Sequence, residues 1–134
     1  MENLSVIKTP SAMHVENRMA TLFVDSEGVL VSNVKKEYVS LEEMDENYVH
    51  LKSITKGTSV CGIIESQYIS SFNKDYILYI EREYSKIYKA LAIVAPSGWM
   101  RLKSKYTLRF AKSKFPIKLF ANSAQAKAWL KEYL

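Results

Sequence analysis

Few residues in this chain are of types that do chemistry, and their spacing decides how far each can be taken. Cys61 is the only cysteine, and the only histidines are His14 and His50. A thiolate nucleophile needs an imidazole or cation beside it to lower its pKa. Neither histidine is near Cys61 in sequence, and Cys61 sits in the apolar run "SVCGIIES", where a thiol behaves as a small hydrophobe. Two histidines and one cysteine make no metal-ligand cluster. Glu42, Glu43, Asp45 and Glu46 crowd one stretch, but they open a helix, where negative charge complements the dipole. Gly28, Gly57, Gly62 and Gly98 are too far apart for a phosphate loop. Tyr76, Tyr79, Tyr84 and Tyr88 have the spacing of an amphipathic core and rim rather than of a base-stacking platform. No catalytic residue, metal or cofactor is expected, and the chain reads as a non-enzyme.

One surface stands apart. Arg101, Lys105, Leu108 and Lys112 recur at i, i+4, i+7 and i+11, a stripe turned away from Trp99 and Phe110. Lys103, Arg109 and Lys114 flank it. Like charges at i and i+4 destabilise a helix by about 0.2–0.5 kcal/mol per pair. The stripe is either a solvated face that keeps the protein soluble or a docking surface. The expected partner is a protein, acidic in character. Anionic lipid or a small apolar ligand are the alternatives, nucleic acid is not expected, and a homodimer is compatible with the pattern.

Charge is uneven along the chain. Residues 1–67 hold six Lys/Arg and ten Asp/Glu, and residues 68–134 hold thirteen and four, so a net −4 half precedes a net +9 half within the overall +5. Such polarity can steer an acidic partner or favour self-association. No stretch approaches the roughly 18 apolar residues of a spanning helix. The start "MENLSVIKTP" lacks a secretory pattern, so a soluble cytoplasmic protein is expected.

These residues need elements to position them. Residues 1–16 show no period and are expected to form a loose arm, leaving a single domain over 17–134. "MATLFVDSEGVLVSNVKK" predicts a hairpin turning on Asp25–Gly28. Ser40 and Glu43 form a capping box, flanked by Val39 and Met44 in staple positions, and start a helix over 41–53 that Lys56-Gly57 stops. Strands are expected at 59–66, 90–95 and 117–120, with further helices over 73–89, 99–114 and 123–133. Asn73 and Asn122 serve as caps. The order is β-β-α-β-α-β-α-β-α, an α/β domain with a mixed, mostly parallel sheet and an antiparallel N-terminal hairpin at its edge.

"FPIKLFANSAQAKAWLKEYL" resembles the C-terminal signature of the SpoIIAA-like branch of the STAS domains, carried here by Pro116, Phe120, Ala126, Trp129 and Leu130. "GIIESQYISSFNKDY" and "ALAIVAPS" echo the same pattern upstream, so the resemblance spans about residues 18–134. It implies a SpoIIAA-like fold and a non-catalytic regulatory or protein-interaction module. The alternative it leaves is a small-molecule or lipid-binding domain with an apolar pocket between helices and sheet. Some STAS relatives are switched by phosphorylation of a serine before the helix that follows the central strand. "SQYISSFNKD" stands there in place of the usual Asp-Ser-Ser-Gly type turn and makes Ser66, Ser70 and Ser71 the candidates. The spacing alone puts Ala126, Trp129 and Leu130 on one helix face, packed against the sheet.

Overall fold

The computed structural model describes residues 5–8 and 13–134. In chain order the elements are β1 (Ser5–Lys8), β2 (Met13–Glu16), β3 (Ala20–Val24), β4 (Leu30–Val34), α1 (Leu41–Thr55), β5 (Val60–Ser66), α2 (Lys74–Glu83), β6 (Tyr88–Val94), α3 (Trp99–Phe110), β7 (Ile117–Phe120) and α4 (Ser123–Leu130). From β3 onward this is the expected α/β order. One sheet joins all seven strands in sequential order, antiparallel from β1 to β4 and parallel from β4 to β7.

That order explains the layers. Right-handed crossovers advancing in one direction must return over the same face. Accordingly α1, α2 and α3 cover one face, where Met44, Leu51, Ile77, Ile80, Leu102 and Phe110 meet Leu30, Ile64, Leu91 and Ile93 in one apolar cluster. α4 follows the last strand and need not return. It covers the opposite face, where Ala126 and Leu130 pack on Val31, Cys61, Ile63 and Ala92. β5 and β6 are therefore buried on both sides, which is why they read as unbroken apolar runs.

Local signals formed as their chemistry requires. The Ser40 hydroxyl accepts from the Glu43 amide, and the Glu43 carboxylate accepts from the Ser40 amide. Asn73 and Asn122 accept from the amides of Tyr76 and Gln125. α1 ends on Lys56 and Gly57, both with positive φ.

Three expectations are corrected. Where a loose arm was expected over 1–16, Ser5–Lys8 and Met13–Glu16 are strands, and β2 pairs with β3. The hairpin is consequently interior to the sheet, and three antiparallel pairs balance three parallel ones instead of a mostly parallel sheet. The helix expected over 73–89 ends at Glu83, a 3₁₀ turn takes Tyr84–Lys86, and Tyr88 and Lys89 begin β6. The apolar stripe runs on through Tyr84 and Ile87 because both are buried, yet by different backbone conformations. α3 stops at Phe110, four residues short of expectation. Among the described residues no helix is long and apolar enough to cross a membrane.

Candidate interaction surface

α3 buries Leu102, Tyr106 and Phe110 and half-buries Trp99, so its other faces are left to solvent. Those faces carry Arg101, Lys103, Lys105, Leu108 and Arg109, and α3 contains no acidic residue. Its N-cap is Gly98, which supplies no side-chain acceptor, and Arg101 sits in the first turn at the positive end of the dipole. Leu108 is 83% exposed. Lys105 lies 5.4 Å from the centroid of the Tyr106 ring.

Packing of α2 beside α3 sets three of the four stripe residues in a groove. It has a volume of about 800 Å³ and is lined by Lys74 and Arg82 from α2 and by Lys105, Arg109, Lys112 and Lys114. Leu108 and Tyr106 supply apolar surface, and Glu81 is the sole carboxylate of the lining among the described residues. Arg109 already holds it: the Arg109 Nε donates to both Glu81 oxygens, at 2.8 and 2.9 Å. That contact ties α2 to α3, and Arg82 has Glu83 at 4.0 Å outside the lining, which leaves Lys74, Lys105, Lys112 and Lys114 without a carboxylate among the described lining residues. Lys105, Leu108 and Lys112 thus line one groove, whereas Arg101 stands further up the helix, outside the lining. Lys74 and Arg82 were missed. They recur with Leu78 at i, i+4 and i+8, a weaker pattern than the buried stripe of the same helix.

The three candidate serines divide. Ser66 and Ser71 are buried. The Ser71 hydroxyl donates to the Lys36 carbonyl, so Ser66 donates to Ser71 Oγ at 2.8 Å while accepting from the Tyr68 amide. These two lock the β5 exit to the segment after β4. Ser70 is half-buried.

The remaining chemistry-bearing residues are structural in their contacts. Cys61 is 1% exposed, and burial pushes its thiol up, with the charge of Lys89 only partly opposing. It faces α4, while His50 is in α1, on the opposite side of the sheet, at 2.9 Å from Asn17 Nδ2. His14 lies on β2, three strands away, with its ring against Phe23. The acidic start of α1 is fully engaged. Glu42 and Glu46 meet Arg18, Asp45 accepts from the Tyr79 hydroxyl at 2.8 Å, and Glu43 accepts from Lys36 Nζ at 2.6 Å. Burial raises the Glu43 carboxyl, but the hydrogen bonds from Lys36 and Ser40 outweigh it and hold the group below its ordinary value. Among the described residues no group of three or more His, Cys, Asp or Glu is placed to hold a metal.

Between the helices and the sheet aromatic rings pack on one another. Tyr84 packs edge-on against Tyr76, Tyr79 and Tyr88. Asn17 donates to Asn47, which donates to the Tyr84 hydroxyl at 3.3 Å. Burial raises the Tyr84 phenol to about 12, the Asn47 bond partly offsetting it, so it stays protonated at neutral pH. Gly62 makes this packing possible. A Cβ there would collide with Tyr88 Cε1, so only glycine leaves room for the ring over β5.

A family model described as Domain of unknown function (DUF7793) matches residues 22–134. No curated protein and no solved structure matches the chain.

Proposed function

The chain belongs to the DUF7793 family, whose description assigns no activity, and we propose that it is a non-catalytic interaction module of STAS type that docks an acidic protein partner in the α2–α3 groove. One observation carries this. Six cationic side chains line a groove whose single carboxylate is already bound by one of them, around a leucine left 83% exposed. A face kept only for solubility needs charge of either sign and no exposed leucine. Charge steers an acidic partner to the groove, and burial of Leu108 and Tyr106 supplies apolar contact once it is there. The aromatic rings packed between helices and sheet favour this module over a ligand-binding cavity at that place. A cytoplasmic setting suits the lone buried cysteine.

The test is a capped, glutamate-rich amphipathic peptide titrated by fluorescence anisotropy against wild type and an Arg82→Gln/Lys105→Gln/Lys112→Gln variant. Removal of three rim charges, each worth about 0.2–1 kcal/mol, should weaken binding several-fold to about a hundredfold. Wild-type binding should fade as salt rises past about 0.15 M. Equal affinity of the two proteins at low salt would refute the proposal. Binding by anionic vesicles but not by peptide would replace the protein partner with a lipid surface.

A further inference from the structure

Among the described residues the sheet ends on β7. The carbonyls of Pro116 and Phe120 accept from the amides of Leu91 and Ala95. By the alternation of an extended strand, Lys118 faces β6 in the same way. The N–H and C=O groups of Ile117 and Leu119 therefore point outward, where no eighth strand lies among the described residues. Such a row of unpaired groups is a template for another strand. Two grooves follow this edge. One, of about 230 Å³, is lined by Trp99, Lys103 and Phe120. The other, of about 390 Å³, is lined by Phe110 and Trp129, and Lys118 lines both. The two tryptophans of the chain thus flank one strand, Trp99 from α3 on one face of the sheet and Trp129 from α4 on the other.

Charge selects the occupant. Among the described residues the linings hold Lys103, Lys114 and Lys118 and no aspartate or glutamate. A second copy pairing β7 to β7 would bring the same lysines against one another, and like charges across a strand pair are destabilising. Lys118 on the edge also deters neutral strands. We infer that β7 is a second docking site, separate from the α2–α3 groove, at which an extended acidic segment of a protein partner adds as an eighth strand. Backbone hydrogen bonds to Ile117 and Leu119 hold the segment, its acidic side chains meet the lysines of the rim, and its apolar ones pack under the indole on the face toward which they point.

The probe is a capped octapeptide alternating glutamate with valine, and the reading is amide hydrogen exchange with chemical-shift mapping. At a free peptide concentration about ten times the dissociation constant, exchange at Ile117 and Leu119 should slow about tenfold. A Lys103→Gln/Lys118→Gln variant, changed only at exposed positions, should bind about fivefold more weakly. Two further peptides, N-methylated on alternate residues in opposite phases, separate backbone pairing from charge attraction. One should lose binding and the other keep it. Unchanged exchange at Ile117 and Leu119, equal binding of both methylated peptides, or shifts confined to α2 and α3 would each overturn the inference. So would protection of the two amides that appears with rising protein concentration and no peptide, which would make a second copy the occupant.

Discussion

If the basic stripe is kept for docking, the isolated fold should carry its repulsion as a measurable destabilisation. The perturbation is Arg101→Gln/Lys105→Gln/Lys112→Gln, which keeps helix propensity and removes only charge. Within α3 it relieves two like-charge pairs at i, i+4, Arg101 with Lys105 and Lys105 with Arg109, worth about 0.2–0.5 kcal/mol each. It also removes a cation from the first turn, worth about 0.3–1 kcal/mol. Against this stands the Lys105 contact with the Tyr106 ring, worth about 0.5–1 kcal/mol at an exposed site. The gains lie near or above the loss, so the variant should be as stable as wild type or more stable by up to roughly 1.5 kcal/mol. Urea melts in low-salt buffer and in about 1 M salt check both size and origin, because the difference should vanish where charges are screened within about 3 Å. A loss of more than about 1 kcal/mol at low salt would refute the reasoning and make the stripe part of what holds α3 in place.

Gly62→Ala should destabilise by about 1–3 kcal/mol through the collision with Tyr88, and a thermal melt in a Tyr88→Ala background should show most of that penalty gone. Glu43 is held below its ordinary carboxyl value, so its contribution is present above the unfolded-state pKa and disappears as pH falls through the lower folded-state value; Glu43→Gln should remove that part of the acid-side slope in stability measured from pH 6 downward. Trp129 is only half-buried, tilted against Phe120 and edge-on to Tyr133 at 5.6 and 5.2 Å, so Trp129→Ala should cost less than the roughly 3–5 kcal/mol typical of a fully buried ring, and a loss of that full size in chemical denaturation would contradict the observed exposure.

What could be read from the chain was what is settled locally. The Ser40/Glu43 capping box, the Asn73 and Asn122 caps and the Lys56-Gly57 stop involve residues within a turn of one another, and each helix start followed. β5 and β6 announced themselves because a strand covered on both faces must be apolar throughout. β1 and β2 escaped notice because four-residue strands carry little pattern and form only through partners. The end of α2 escaped because Tyr84 and Ile87 are buried whichever backbone presents them. The candidate site divides in the same way. Its α3 half was visible in the i, i+4, i+7, i+11 spacing. Lys74, Arg82 and the Arg109–Glu81 clasp depend on which helices lie side by side, and that is decided by the direction in which the crossovers advance across the sheet.

The docking claim is tested most directly by mapping amide chemical shifts of the labelled protein during titration with the glutamate-rich amphipathic peptide. The account predicts changes centred on Lys74, Arg82, Lys105, Leu108 and Lys112, fading together as salt is raised. Changes confined to the buried rings of Tyr76, Tyr84 and Tyr88, or a response at α2 and α3 that persists unchanged in about 1 M salt, would contradict it.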